Sequence, residues 1–206
     1  LLAGVILAGR TAAPAVQIPP KATSTWTPPA PSPSPAPATP EPSPTPACTE
    51  TRGTIVRTAY PGAVVEADVP VIAYLPPCYA SEERRYAVLI ALHGYPYDET
   101  HWEELGLLAA AESAGGSGGL APLIIVLPRQ PEPLFRHTDG GPGSYEQELL
   151  DGLVPFLEAS YRTAPHPDSW TLAGISRGGV WALEIGLRHP EVFDSDVKLE
   201  ATRVTR

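Results

Sequence analysis

Gly174-Ile175-Ser176-Arg177-Gly178 sets one hydroxyl among glycines within the stretch TLAGISRGGVWALEIGLRHPEVF. SWTLAGIS, which leads into it, has the short apolar pattern of a strand, and RGGVWALEIGLRH has the apolar spacing of a helix. A serine held where a strand turns sharply into a helix projects its hydroxyl from the turn. Small residues on either side let the backbones pass closely. The helix N-terminus adds unpaired N–H groups and partial positive charge, which favour a developing oxyanion. The chemistry these features suit is nucleophilic attack by Ser176 on an acyl carbonyl. A serine that merely caps the helix is the other reading.

A serine hydroxyl needs a base, and histidines are scarce after it. His189 lies thirteen residues on along the same predicted helix, about 20 Å away at roughly 1.5 Å per residue. It cannot reach the hydroxyl. Asp194 and Asp196 follow only after that helix. His93, His101 and Trp102 stand in ALHGYPYDETHW, directly after an apolar run ending in glycine. His101 and Trp102 read equally as lid or pocket wall and as packing against the next helix. His137 and Asp139 sit in the glycine-rich FRHTDGGPGS, where a solvated loop and a border on the site are both open. The Arg177 side chain is either solvated or a holder of an anionic substrate group.

The elements that position these residues begin at Gly53. GTIVRTAY and VVEADVPVIAYLPP carry the β-branched and aromatic content of two strands, with YPGA between them as a turn, and predict an antiparallel hairpin. YAVLIALHG and APLIIVLP are near-continuous apolar runs, the pattern of strands buried on both faces. ETHWEELGLLAAAESAGG and SYEQELLDGLVPFLEASYR have helical spacing, and in the second Ser144 with Gln147 predicts a capping box. Strands alternating with helices predict an α/β fold, a mainly parallel sheet covered on both faces.

Thirteen of the 27 prolines precede residue 50. Residues 23–47 alternate Pro with Ser, Thr and Ala, which predicts a disordered, extended linker. LLAGVILAGR before it is too short to span a membrane and reads as the end of a signal peptide's apolar region or a membrane-proximal segment, residues 1–22. Without any Met, the chain reads as a fragment at its left end, and LAGR matches a lipobox with Arg10 where the lipid-accepting Cys would stand. Extracytoplasmic placement, secreted or at a bacterial surface, follows from that reading. In such a compartment Cys48 and Cys78 predict a disulfide closing a loop of roughly 30 residues, worth roughly 3 to 4 kcal/mol. Two free thiols in a reduced compartment are the alternative. The net charge of -9 leaves no basic stripe for nucleic acid.

LPPCY, LHGYPYDETHW, IIVLP, LLDGLVPFLEASYRT and GISRGG…LRHPEVF, in this order and spacing, resemble the bacterial esterases related to esterase D, enterochelin esterase and the antigen 85 mycolyltransferases. The resemblance covers residues 53–193 and implies a three-layer α/β-hydrolase sandwich. It implies Ser176 as acyl-accepting nucleophile, with the backbone N–H groups of Tyr95 and Arg177 as the oxyanion hole. The histidine of HG, here His93, is structural in such proteins, and the family's chain order of nucleophile, acid, histidine excludes it as base. Members continue beyond the helix after the nucleophile with further strands, the triad acid and the histidine, whereas this chain reads DSDVKLEATRVTR. The expectation is therefore a partial esterase domain over residues 48–206, incomplete at the C-terminus, lacking the triad Asp and His, and inactive by itself. The intact form would hydrolyse a small-molecule or cell-envelope ester without metal or organic cofactor, with membrane proximity through the N-terminal segment and an oligomeric state left open. Transfer of the acyl group to an alcohol acceptor is the second reading, and a non-catalytic remnant or surface-binding module the third.

Overall fold

Val, Ile and Leu runs with no polar interruption have to be sheltered on two sides, and the sheet shows how. A computed structural model describes residues 48–136 and 140–194. The N-terminal segment, the linker, His137, Asp139 and Asp196 lie outside the described residues. Strands β1 (Thr54–Pro61), β2 (Asp68–Leu75), β3 (Ala87–Leu92), β4 (Leu123–Pro128) and β5 (Trp170–Gly174) form one sheet in the order β1-β2-β4-β3-β5. β1 and β2 are the expected hairpin, in register from Thr54↔Leu75 to Pro61↔Asp68. β4, β3 and β5 pair in parallel, and β2 alone runs against the other described strands.

Alternation along β4 divides the core. Ile124 and Val126 join one buried cluster with Ile90, Leu149, Leu157, Trp181 and Ile185. Ile125 and Leu127 join a second with Ile72, Tyr74 and Leu108. On the first side lie α3 (Tyr145–Gln147), a π-helical turn (Glu148–Leu153), α4 (Val154–Ser160) and α5 (Arg177–Arg188). On the other lie α1 (His101–Glu104) and α2 (Leu107–Gly116). The result is the expected three layers.

Two expected helices are interrupted. Gly106, at φ +83, ends α1 and restarts the chain as α2, so ETHWEELGLLAAAESAGG is two helices rather than one. The π turn inserts into SYEQELLDGLVPFLEASYR where Gly152 passes the hairpin, its hydrogen side 3.1 Å from Tyr60 Cε2 and 3.3 Å from Ala63 N for a Cβ placed there. From the same turn the buried Glu148 carboxylate accepts the backbone N–H groups of Val64 (2.6 Å) and Val65 (3.2 Å), which shapes a hairpin turn longer than YPGA. The capping box is not formed. Ser144 Oγ donates to Gly141 O at 2.6 Å, and Gln147 Oε1 accepts the Gly143 N–H at 2.8 Å, because the glycine loop offers both groups nearer partners.

Cys48 and Cys78 are joined as a disulfide. Cys78 N–H also donates to Glu50 at 2.8 Å, so the start of the described region is fastened to the loop after β2. Cys48→Ser is expected to lower unfolding free energy by roughly 3 kcal/mol, the loop-closure value. Denaturation of wild type and variant under oxidising conditions measures it, and equal stabilities would refute it.

Candidate active site

β3 and β5 end side by side, with Leu92 opposite Gly174. Loops leaving the carboxyl ends of neighbouring parallel strands meet there, the usual place for a ligand in such a sheet. Ser176 is the first residue beyond β5 to leave ordinary geometry: it sits at φ 54, ψ -117 as N-cap of the 12-residue α5, and it is exposed. A side chain rarely adopts positive φ, and the conformation costs on the order of 1 kcal/mol or more. The flanking glycines make it attainable. A Cβ on Gly174 would strike the Gly178 carbonyl and Gly179 N, and one on Gly178 would strike the carbonyl oxygens of Leu92 and His93.

Gly94 abuts the elbow, since a Cβ on it would lie 3.2 Å from Ile175 O and 3.3 Å from Ser176 Cβ. That places the peptide of Tyr95 beside Ser176. Arg177 is the first residue of α5, where a helical N–H has no partner within the helix. Ser176, the Arg177 N–H and the peptide between Gly94 and Tyr95 are thus neighbours at the end of β5.

His93 is a clamp on this loop. Its Nε2 accepts the Gln130 N–H at 2.9 Å, leaving Nδ1–H to donate to Gly94 O at 3.0 Å, while Gln130 Nε2 donates to His93 O at 2.5 Å. Burial pushes its pKa down, favouring the neutral ring that this pattern requires. His101 Nδ1 accepts the Gly94 N–H at 3.4 Å and its ring stacks on Tyr97, while Trp102 Nε1 donates to Leu92 O at 2.9 Å. Both are packing residues that hold the loop down. The Arg177 side chain is half-buried and donates to Arg136 O at 2.9 Å.

His189 stands at the opposite end of α5, with Nε2 2.5 Å from Glu146 Oε1 and Nδ1 3.0 Å from Glu191. The buried Glu146 carboxylate also accepts from Arg188 (2.8 Å) and the Gly141 N–H (3.0 Å). Burial alone would lower the His189 pKa, but its bonds to Glu146 and Glu191 outweigh that and raise it above 6.5. Burial alone would raise Glu146, yet His189 and Arg188 bring it below 4.5. The raised imidazole stabilises the fold below the unfolded value and loses that contribution as pH rises through its folded pKa. The depressed carboxylate stabilises above its unfolded value and fails as pH falls. His189→Gln is therefore expected to cost about 1 kcal/mol near pH 6 and distinctly less near pH 9. A cost independent of pH in urea titrations would exclude a charged His189.

His166 is bonded to Val192 O (2.9 Å) and Glu158 (3.1 Å). Each of the described histidines, His93, His101, His166 and His189, is thus bonded to a group other than Ser176. Two clefts flank the elbow's loop. One of about 310 Å³ is lined by Tyr95, Phe135, Arg136 and Arg177. The other, of about 680 Å³, continues past the stacked Tyr95 and Phe135 rings toward Val65, Asp68, Tyr97 and Gln130. Gln130, Phe135 and Arg136 were not singled out in the sequence. Their signal was position, since LPRQPEPLFR leaves β4 at the same carboxyl edge as the other two loops.

The Esterase family model matches residues 62–198. An endo-1,4-beta-xylanase/feruloyl esterase of Xylanibacter ruminicola is 29% identical over 128 residues, covering 58% of this chain and 18% of that protein. A solved ferulic acid esterase superposes with a TM-score of 0.62 at 26% identity, over 69% of this chain and 57% of the other. The ferulic acid esterase of Anaeromyces mucronatus gives a TM-score of 0.57 at 25% identity, over 68% and 57%. The chain therefore spans a little over half of these solved esterases and under a fifth of the curated relative. Fold, strand-to-helix elbow and family match agree, and the chain belongs to the esterase family of α/β-hydrolases.

Proposed function

We propose that this chain carries the nucleophile and oxyanion hole of an exported serine carboxylic-ester hydrolase. The observation that carries the reading is Ser176 at φ 54, ψ -117, capping α5 directly after β5. Ser176 Oγ loses its proton to a histidine and bonds to the ester carbonyl carbon; the oxyanion accepts the N–H groups of Tyr95 and Arg177. Collapse expels the alcohol, which takes the proton back from the histidine, and leaves an acyl-serine. Water then adds by the same route and releases the acid. The base and its acid partner lie outside the described residues. Half-exposed Tyr95, stacked on Phe135 at 5.0 Å, gives the acyl or alcohol group an aromatic wall, which suits the aromatic acids named for the solved relatives. The apolar N-terminal segment and the disulfide support export. Reaction of a form of the protein that turns over an acetyl ester with a fluorophosphonate, followed by peptide mapping, tests the assignment: an adduct on Ser176 is expected, and no adduct there, or one on another residue alone, would overturn it.

A further inference from the structure

One face of α5 grips a neighbouring turn in a way the hydrolytic scheme does not use. Arg177 and Trp181, one helical turn apart, donate to successive carbonyls of the turn Leu134–Arg136: the Arg177 guanidinium to Arg136 O at 2.9 Å, and Trp181 Nε1 to Phe135 O at 3.4 Å. The side chains of that turn hold Tyr95. Phe135 stacks on its ring with centroids 5.0 Å apart, and the Arg136 guanidinium lies 5.8 Å from the ring centre. The Tyr95 ring is 55% exposed and has these two neighbours as its ring contacts, while the peptide it shares with Gly94 is bound only on its carbonyl side, where Gly94 O meets His93 Nδ1 and the Tyr97 N–H, each at 3.0 Å.

We infer that the Arg177 side chain is a positioning residue for the oxyanion hole, coupling the helix that carries Ser176 to the loop that carries the Tyr95 N–H. The inference rests on the ester-hydrolase reading. Arg177 then has two roles: its backbone N–H is one donor, and its guanidinium keeps the other donor in place through Arg136, Phe135 and the Tyr95 ring. A donor must lie within a few tenths of an ångström of where the oxyanion forms, so a loosened Tyr95 weakens stabilisation of the transition state more than substrate binding. Lysine can still donate to Arg136 O. Methionine has similar length and no donor.

The test compares Arg177→Met with Arg177→Lys, both of which keep the backbone N–H. In the 206-residue chain, hydrogen exchange of the Tyr97, Phe135 and Arg136 amides is expected to speed up about tenfold in Arg177→Met and to return most of the way in Arg177→Lys. In any form of the protein that turns over an acetyl ester, Arg177→Met is expected to lower kcat about tenfold with KM within about twofold, again rescued by Lys. Unchanged exchange in Arg177→Met overturns the inference. So does a loss in KM alone, or a kcat loss equal in Met and Lys, because either would place the guanidinium on the substrate. Absence of a fluorophosphonate adduct on Ser176 in a wild-type form that turns over the ester sinks the hydrolase reading instead, and leaves the exchange result to report on the clamp separately.

Discussion

In any form of the protein that turns over an acetyl ester, Ser176→Ala is expected to remove the fluorophosphonate adduct and to lower hydrolysis by about 10³-fold or more. The size follows from the chemistry. Without the oxygen no acyl-serine forms, and only binding and the two N–H donors remain to assist water. Alanine is the right replacement because it keeps a Cβ at φ 54, so the backbone strain stays as it was. Thermal unfolding of the variant should match wild type within a degree or so, and that equality separates lost chemistry from lost structure. Turnover that survives in Ser176→Ala would take the nucleophile's role away from Ser176. The same assay addresses the base. A described imidazole acting from its present place would have to leave Gly94, Glu146 or Val192, so single His→Gln changes at His93, His189 and His166 should leave adduct formation on Ser176 standing wherever the fold survives.

What could be read from residue types alone follows a physical division. β3 and β4 were legible because a strand buried on both faces admits no polar residue, and Leu89, Ile90, Ile124 and Val126 meet that demand locally. The elbow was legible for a similar reason. Its glycines answer steric collisions among Gly174, Gly178 and the end of β3, and no other residue type fits. The resemblance added Tyr95 and Arg177, which no local pattern marks, since a backbone N–H can be carried by almost any residue.

The parts that could not be read depend on distant partners. The split between α1 and α2 sits at Gly106, whose left-handed φ accompanies a loop pinned by Trp102 to Leu92 O and by His101 to the Gly94 N–H. Nothing in the leucine and alanine spacing announces those bonds. The Ser144 and Gln147 pair matched a capping box in sequence but found glycine-loop partners instead. Gln130 is the clearest omission. Its role comes from meeting His93 across β4 and β3, strands adjacent in space and separated in the chain by α1 and α2.

Adding one methyl group to α5 is expected to have opposite effects at two glycines in the same helix. Gly178→Ala should destabilise by about 3 kcal/mol and remove reactivity at Ser176, because the new Cβ would run into the carbonyl oxygens of Leu92 and His93. Those atoms are backbone and cannot swing away. Leu92 O already accepts from Ile175 N–H at 3.2 Å and Trp102 Nε1 at 2.9 Å, and His93 O from Gln130 at 2.5 Å, so relief would have to break the contacts that hold the loop after β3. Gly186→Ala, eight residues on, meets nothing within 4 Å at its added Cβ. There alanine's helix propensity acts unopposed and should stabilise by about 0.5 to 1 kcal/mol. Urea denaturation of the two variants against wild type reads the difference, roughly 4 kcal/mol in sum from these two effects. Gly178→Ala as stable as Gly186→Ala would mean that α5 does not dock against the end of β3 as closely as the elbow requires, and the convergence of Ser176 with the Tyr95 N–H would fall with it.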